Sequence, residues 1–299
     1  MPAPPDQKAR PHPLRLDLAR GASARGASPP VGYVELATTS NYTFLTGASH
    51  PDELVCAAAN LGHASAAIAD VNTLGGIVRA HVAAREIGMP LAIGARLRFA
   101  DPEGLELLCY PTDLASYSNL SRTLTVGKRC APKGECHLRL HDLVERSAGI
   151  QAIVLPPPPG SPLDDAFIET VRGLRSVFDD DRLSLAASVA YAHDDRTRLW
   201  QLRTLAEHVR IPLVAINDAH AHDPSRRPLQ DALTCVRLGT TLQRAGLALH
   251  ANAERHLKSA SELAPLFAQC PGAIARTVEI ARRAHGFSID QLKYHYPRE

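Results

Sequence analysis

From Val31 onward the sequence alternates between short apolar runs and longer stretches with helical spacing, and this alternation limits the fold more than any other feature. The apolar runs are Val34–Ala37, Ala66–Ala69, Leu91–Ala95, Leu105–Tyr110, Ile150–Leu155, Leu183–Ala187 and Pro212–Ile216. Each has the length and side chains of a buried strand. Helical patterns lie between several of them. Ser49-His50-Pro51-Asp52-Glu53 opens one, with Ser49 as the expected N-cap, proline and acids in the first turn, and Gly62 as its stop. A second runs from Gly75 to Ile87 and is expected to bury Ile77, Val78, His81 and Val82 before Gly88 ends it. A third covers Asp195–Val209. Such alternation predicts a parallel α/β architecture, and about seven units in about 200 residues suit a barrel.

The barrel is expected over residues 32–225. Ahead of it, residues 1–31 are rich in Pro, Arg, Ala and Ser and lack apolar periodicity. Such a segment buries too little surface to offset its ordering entropy, so it reads as a disordered tail. Its Arg-rich character resembles a transit peptide, but Asp6, Asp17 and the prolines argue against one. Residues 226–299 read as a helical segment, clearest at Asp231–Leu238, Ser261–Phe267 and Ile274–Ala284. The run Pro156-Pro157-Pro158-Pro159-Gly160 reads as a surface loop rather than a boundary, because the alternation resumes after it.

Composition excludes several classes. Apolar residues make up 45% and charged residues 21%, as in a globular protein. No apolar run is long enough to span a membrane, and the start lacks the apolar core of a secretory signal, so the cytoplasm is expected. A net charge of +2 is too mild to argue for nucleic acid by itself. The six cysteines lack the paired spacing of a zinc site and read as buried, reduced thiols. No serine sits in a nucleophile elbow, and there is no Walker-type phosphate loop.

Function in such folds gathers at the C-terminal ends of strands, here 33–45, 68–74 and 214–222. Asp70, followed by Asn72 and Thr73, reads equally as a metal ligand and as a turn residue accepting backbone amides. His222 and Asp223 are expected to face solvent at a turn, and Arg226 and Arg227 to form a solvated corner, with phosphate contact as the alternative. Lys128, Arg129 and Lys133, near Tyr110 and Tyr117, read as a charged surface loop, with a phosphate-contacting loop as the alternative. Helical spacing would put His250 and Glu254 on one face and His256 off it, so this trio receives no metal role.

A run of segments, in order, carries a family resemblance. Phe44-Leu45-Thr46-Gly47-Ala48-Ser49-His50-Pro51-Asp52-Glu53-Leu54 resembles the opening of PHP (polymerase and histidinol phosphatase) domains in bacterial C-family DNA polymerases. Arg79–Glu86, Arg129–Glu135, Arg226–Cys235 and Asn252–Lys258 resemble the error-prone branch of that family. The resemblance extends from about Tyr33 to the C-terminus.

It implies a distorted seven-stranded β/α barrel, which in metal-bearing relatives holds divalent ions. Their His-x-His pair falls here on Ala37 and Thr39, the His of their Asp-His pair on Val71, and a ligating Glu on Arg96. Asp70, Asp218 and His220 are the ligand positions left. A two-metal site needs about six N/O ligands, so a degenerate site is expected, leaving room for residual Mn²⁺ or Zn²⁺ at most. The implied activity is that of a translesion polymerase acting in damage repair and induced mutagenesis. Its DNA, its Mg²⁺-dependent palm and thumb, a sliding clamp and damage-response accessory proteins are the implied partners. No segment here resembles the palm, and the chain stops about where a PHP portion would hand over to it, as a fragment or a shortened product would. A metal-dependent phosphoesterase or 3′–5′ exonuclease is the alternative.

Overall fold

The computed structural model of the protein describes residues 32–293; the expected N-terminal tail lies outside them. Helix α1 (Pro51–Asn60) leads into β1 (Ala66–Val71), α2 (Ile77–Ile87), β2 (Leu91–Asp101) and β3 (Glu106–Pro111). Then come α3 (Leu114–Arg129), β4 (Leu138–Arg139), α4 (Leu140–Val144), β5 (Ile150–Leu155), α5 (Asp165–Val177) and β6 (Leu183–Ala187). Helix α6 (Asp195–Val209) and β7 (Leu213–Ala215) complete the sheet. Four further helices follow: α7 (Arg227–Leu238), α8 (Leu242–Ala245), α9 (Ala260–Leu263) and α10 (Gly272–Ala284).

The seven strands form one curled sheet in the order β1-β2-β3-β5-β6-β7, with the two-residue β4 paired to β2. It is mixed rather than wholly parallel: β3 runs antiparallel to both β2 and β5. The reason lies in the connection. Only residues 102–105 separate β2 from β3, enough for a reversal and far too few for a helical crossover. The other expected strands form where the apolar runs placed them, and β6 and α6 keep their expected bounds.

The apolar run Val34–Ala37 is buried at the heart of the fold but joins no ladder. Its neighbours hold it by single bonds: Ala64 N donates to Tyr33 O (2.9 Å), Ala69 N to Thr38 O (2.9 Å), and Thr39 N to Ala219 O (2.8 Å). The segment therefore spans from β1 to the loop after β7. Glu35 explains why it is not a strand, because its side chain takes the backbone N–H groups of Ala37 and Asn217 that a ladder would have used. Helix α10 packs against β7, β2 and β3, and its Thr277 Oγ1 accepts from Val34 N, so the C-terminal helical part closes over the barrel.

Two helix details differ from expectation. His50, not Ser49, is the N-cap of α1, and Ser49 turns instead to His222. In α2 the buried face is Ile77, Ala80, Ala83 and Ala84, while Val78 and Val82 are exposed. The alanines let α2 lie close against α1 and β1, where the valines would hold it off. Cys56, Cys109 and Cys235 are buried as expected, whereas Cys136 and Cys270 are only half-buried and Cys130 is exposed. No helix among the described residues is long and apolar enough to cross a membrane.

Tyr110 crosses the core from β3 and donates its hydroxyl to Leu36 O. Its ring needs the space left by Gly94 on β2, where an added Cβ would stand 2.6 Å from Tyr110 Cε1 and 2.9 Å from Cys109 O. Gly94→Ala is therefore expected to overpack the core and cost about 1–3 kcal/mol. A lower midpoint at unchanged m-value in urea unfolding checks it; an unchanged midpoint would mean that Tyr110 is not held there.

Candidate functional site

The C-terminal strand ends open into a cavity of about 390 Å³ whose lining includes Arg96, Arg98, Glu106, Arg198, Asp218 and Arg255. A second hollow of about 240 Å³ shares Asp218 and Arg255 with it and is also lined by His250. The proline run borders both, as a loop, and Arg198 fixes it by donating to Pro157 O (2.7 Å) and Ser161 O (2.9 Å).

Asp218 is the hub. The β1–β2 register sets Arg96 opposite Val71 at the strand end, from where its Nη1 reaches Asp218 Oδ1 at 2.7 Å. Arg96 Nε meets Glu106 Oε2 at 2.5 Å, and Arg98 Nε takes the other Glu106 oxygen at 2.6 Å. Arg255 Nη1 binds Asp218 Oδ2 at 2.8 Å. Both oxygens of Asp218 are thus committed to guanidinium groups. Burial works to raise this carboxyl, but Arg96 and Arg255 outweigh it and hold the group well below the usual carboxylate range. Asp218 also has φ +50°, a left-handed conformation that a non-glycine residue adopts only when its surroundings fix it.

His220 is buried beside it, with Nε2 3.5 Å from Asp218 Oδ1 and Nδ1 3.1 Å from Gln230 Nε2. Burial lowers its pKa despite the nearby carboxylate, so the ring is neutral near pH 7. The His250 ring stands edge-on to it at 5.5 Å and is pushed down to about 4, chiefly by burial and by Arg255.

Asp70 belongs to a separate cluster. Its Oδ1 accepts from Ser40 N (2.8 Å) and Thr43 Oγ1 (2.8 Å), and its Oδ2 from Ser40 Oγ (2.7 Å). This is the amide-accepting role that its sequence context allowed. Of the three residual ligand positions, only Asp218 and His220 are brought together, and each of the three is engaged by the protein's own donors. Among the described residues no group of three or more His, Cys, Asp or Glu side chains is arranged to hold a metal ion. The donor set present does not fit a two-metal centre.

Other singled-out residues are placed differently from expectation. Residues 250–257 are not helical, so His250 and Glu254 share no helix face; Glu254 pairs with Lys258, and His256 Nδ1 faces Ala253 O. His222 is half-buried against Ser49 Oγ (2.8 Å), while Asp223 does cap a turn at Ser225 N. Arg226 pairs with Glu53 and Arg227 with Asp231, so neither is a merely solvated corner. Lys128 and Arg129 form the last turn of α3, with Lys133 exposed just after, but Tyr110 is fully buried and Tyr117 stacks on Phe287 at 4.1 Å. Neither ring is free to stack on a base.

Sequence reasoning missed Glu35, Glu106, Arg255 and Gln230. Glu35 carried the clearest available signal, a carboxylate inside an apolar run, which must find donors if buried. It finds three: Tyr33 Oη (2.7 Å), Asn217 N (2.7 Å) and Ala37 N (2.9 Å). Burial still pushes it up to about 7.

Residues 35–182 match the PHP domain family, so the chain carries a PHP domain. The chain is similar to an error-prone DNA polymerase of Caulobacter vibrioides, 44% identical over 271 residues that cover 91% of this chain and 24% of the relative. An error-prone DNA polymerase of Rhodopseudomonas palustris is 42% identical over 274 residues, covering 89% of this chain and 24% of the relative. The chain thus spans about a quarter of the length of these curated relatives. A solved amidohydrolase from Chromobacterium violaceum aligns with TM-score 0.50 at 14% identity over 63% of this chain and 88% of that one, a likeness of fold alone.

Two predictions follow from the charged groups. Arg96→Ala leaves Asp218 and Glu106 each short of a partner in a largely enclosed site, and is expected to cost on the order of 3 kcal/mol in chemical denaturation. The Glu35 carboxyl has a folded pKa raised above its unfolded value, so its contribution is full below about 4.5 and is lost as pH rises through about 7. Glu35→Gln is expected to remove that slope, on the order of 3 kcal/mol across this window, whatever it does to absolute stability. Parallel slopes for the parent and the variant would refute it.

Proposed function

We propose that the chain is the PHP portion of an error-prone, translesion DNA polymerase acting in DNA damage repair and induced mutagenesis, and that its barrel supports the polymerase rather than hydrolysing a substrate. The PHP domain and the identity to error-prone polymerases over some nine-tenths of the chain support the first half. One observation carries the second: Arg96 and Arg255 occupy both carboxylate oxygens of Asp218. A divalent cation there would have to displace two guanidinium groups and then face their repulsion, several kcal/mol each at an effective dielectric of about 20. A water made nucleophilic by metal would lack its ion, and the neutral His220 would have no metal-bound group to act on.

Nucleotidyl transfer, with its Mg²⁺ ions, then belongs to polymerase domains beyond this chain, and the barrel meets DNA as one part of the whole enzyme. The sliding clamp and damage-response accessory proteins are the further partners this reading carries, in the cytoplasm.

The test is incubation of the chain with a 3′-labelled primer and Mn²⁺ or Zn²⁺. The expected result is an intact primer at every time point. Digestion that disappears in His220→Ala would establish a metal-dependent exonuclease or phosphoesterase and overturn the supporting role.

A further inference from the structure

Helix α7 has two faces of different use. Its inner face is committed: Gln230, Thr234 and Cys235 are buried, and Gln230 Nε2 meets His220 Nδ1. Arg227 ties the start of the helix to the backbone oxygens of His250 and Asn252. Its outer face carries Leu229 and Val236, one full heptad apart and both exposed. Leu242 in α8 and Leu247 just beyond add further exposed apolar side chains along the chain, with Val236 66%, Leu242 55% and Leu247 fully exposed, while Leu238, one turn after Thr234, is exposed at the helix end on the inner-face side. Five of the thirteen large apolar side chains exposed among the described residues fall in this one stretch. Apolar side chains gathered in this way mark a surface made to be covered.

Charge narrows what covers it. Residues 232–253 contain no Asp or Glu. Arg237 and Arg244 are exposed beside the apolar side chains and enter no salt bridge among the described residues. The complementary surface is apolar at its centre and acidic at its rim. A second copy of this chain fits poorly, since a two-fold axis would bring the same arginines and the same acid-free stretch face to face.

We propose that the outer face of α7 and α8 docks the remainder of a polymerase chain, through an apolar surface with an acidic rim. This rests on the function proposed above. The curated relatives, of which this chain spans about 24%, supply the length of chain from which such a surface would come. Because the inner face of α7 holds His220, the docked part would sit directly behind the Asp218 cluster.

The test uses a chimera in which the 299-residue chain replaces the aligned segment of the Caulobacter polymerase, alongside the chain alone. Two double variants are made in each: Val236→Asp with Leu242→Asp, and Arg237→Glu with Arg244→Glu. In the chain alone, both are expected to unfold at the urea midpoint of the parent. In the chimera, both should lower the midpoint and cut primer extension at least tenfold. A chimera whose variants extend primers like their parent would overturn the docking surface and leave the proposed function standing. A parent chimera inactive where the Caulobacter enzyme is active would overturn the function and the inference with it. Loss of stability in the chain alone would make the face part of its own core, and dimers abolished by Val236→Asp with Leu242→Asp would make the occupant a second copy; either overturns the proposal.

Discussion

The arrangement at the strand ends depends on one carboxylate shared between two arginines. Asp218 sits after the last strand, Arg96 comes from β2, and Arg255 from the loop that precedes α9. The three lie far apart in sequence, and their contact fastens three separate parts of the fold at a point where strands end and backbone pairing stops. Glu106, from the antiparallel β3, extends the lattice by bridging Arg96 and Arg98. Such a cluster is largely enclosed, so its net worth is small compared with the cost of breaking it: removing one partner strands a charge where water cannot fully replace the guanidinium. The left-handed backbone at Asp218 is held by the same contacts.

Much of this was legible in advance, and the limits have physical causes. The strands β5 and β6 and helix α6 were readable because each is a long or strongly apolar segment bounded by turn residues. The reversal of β3 was not, since strand direction depends on the length of a connection and not on the apolar pattern. Val34–Ala37 has the composition of a strand but not its pairing, because one side chain, Glu35, replaces the ladder. The exposure of Val78 and Val82 reflects how closely α2 approaches its neighbours, a tertiary choice made by alanines.

The site divides along the same line. Asp70, Asp218 and His220 could be singled out from strand ends and resemblance, as could Arg96. What the sequence withholds is convergence. Arg255 lies 37 residues from Asp218, and no periodicity relates the two. The resemblance supplied candidate positions without saying what contacts them, and for Asp218 two arginines give the answer. That Asp70 belongs to Ser40 and Thr43 follows from the path of the 38–43 loop, which no local rule fixes.

Adjacent residues connect two carboxyl groups with opposite fates. Asn217 donates its N–H to Glu35, whose carboxyl is pushed up to about 7, and Asp218 beside it is held far below the usual range. Paired carboxyls with separated pKa values are a common signature of acid–base catalysis. Here access decides against that reading. Glu35 is 1% exposed, and its oxygens already accept from Tyr33, Ala37 and Asn217, so no substrate atom reaches it. Asp218 adds to the pressure that raises Glu35, and Arg96 and Arg255 offset that negative charge at its source. The arginines therefore do two things at once: they hold both oxygens of Asp218, and they offset the negative charge that pushes Glu35 up. On the function proposed above, a cluster with these properties stabilises a shape and leaves chemistry to the rest of a polymerase.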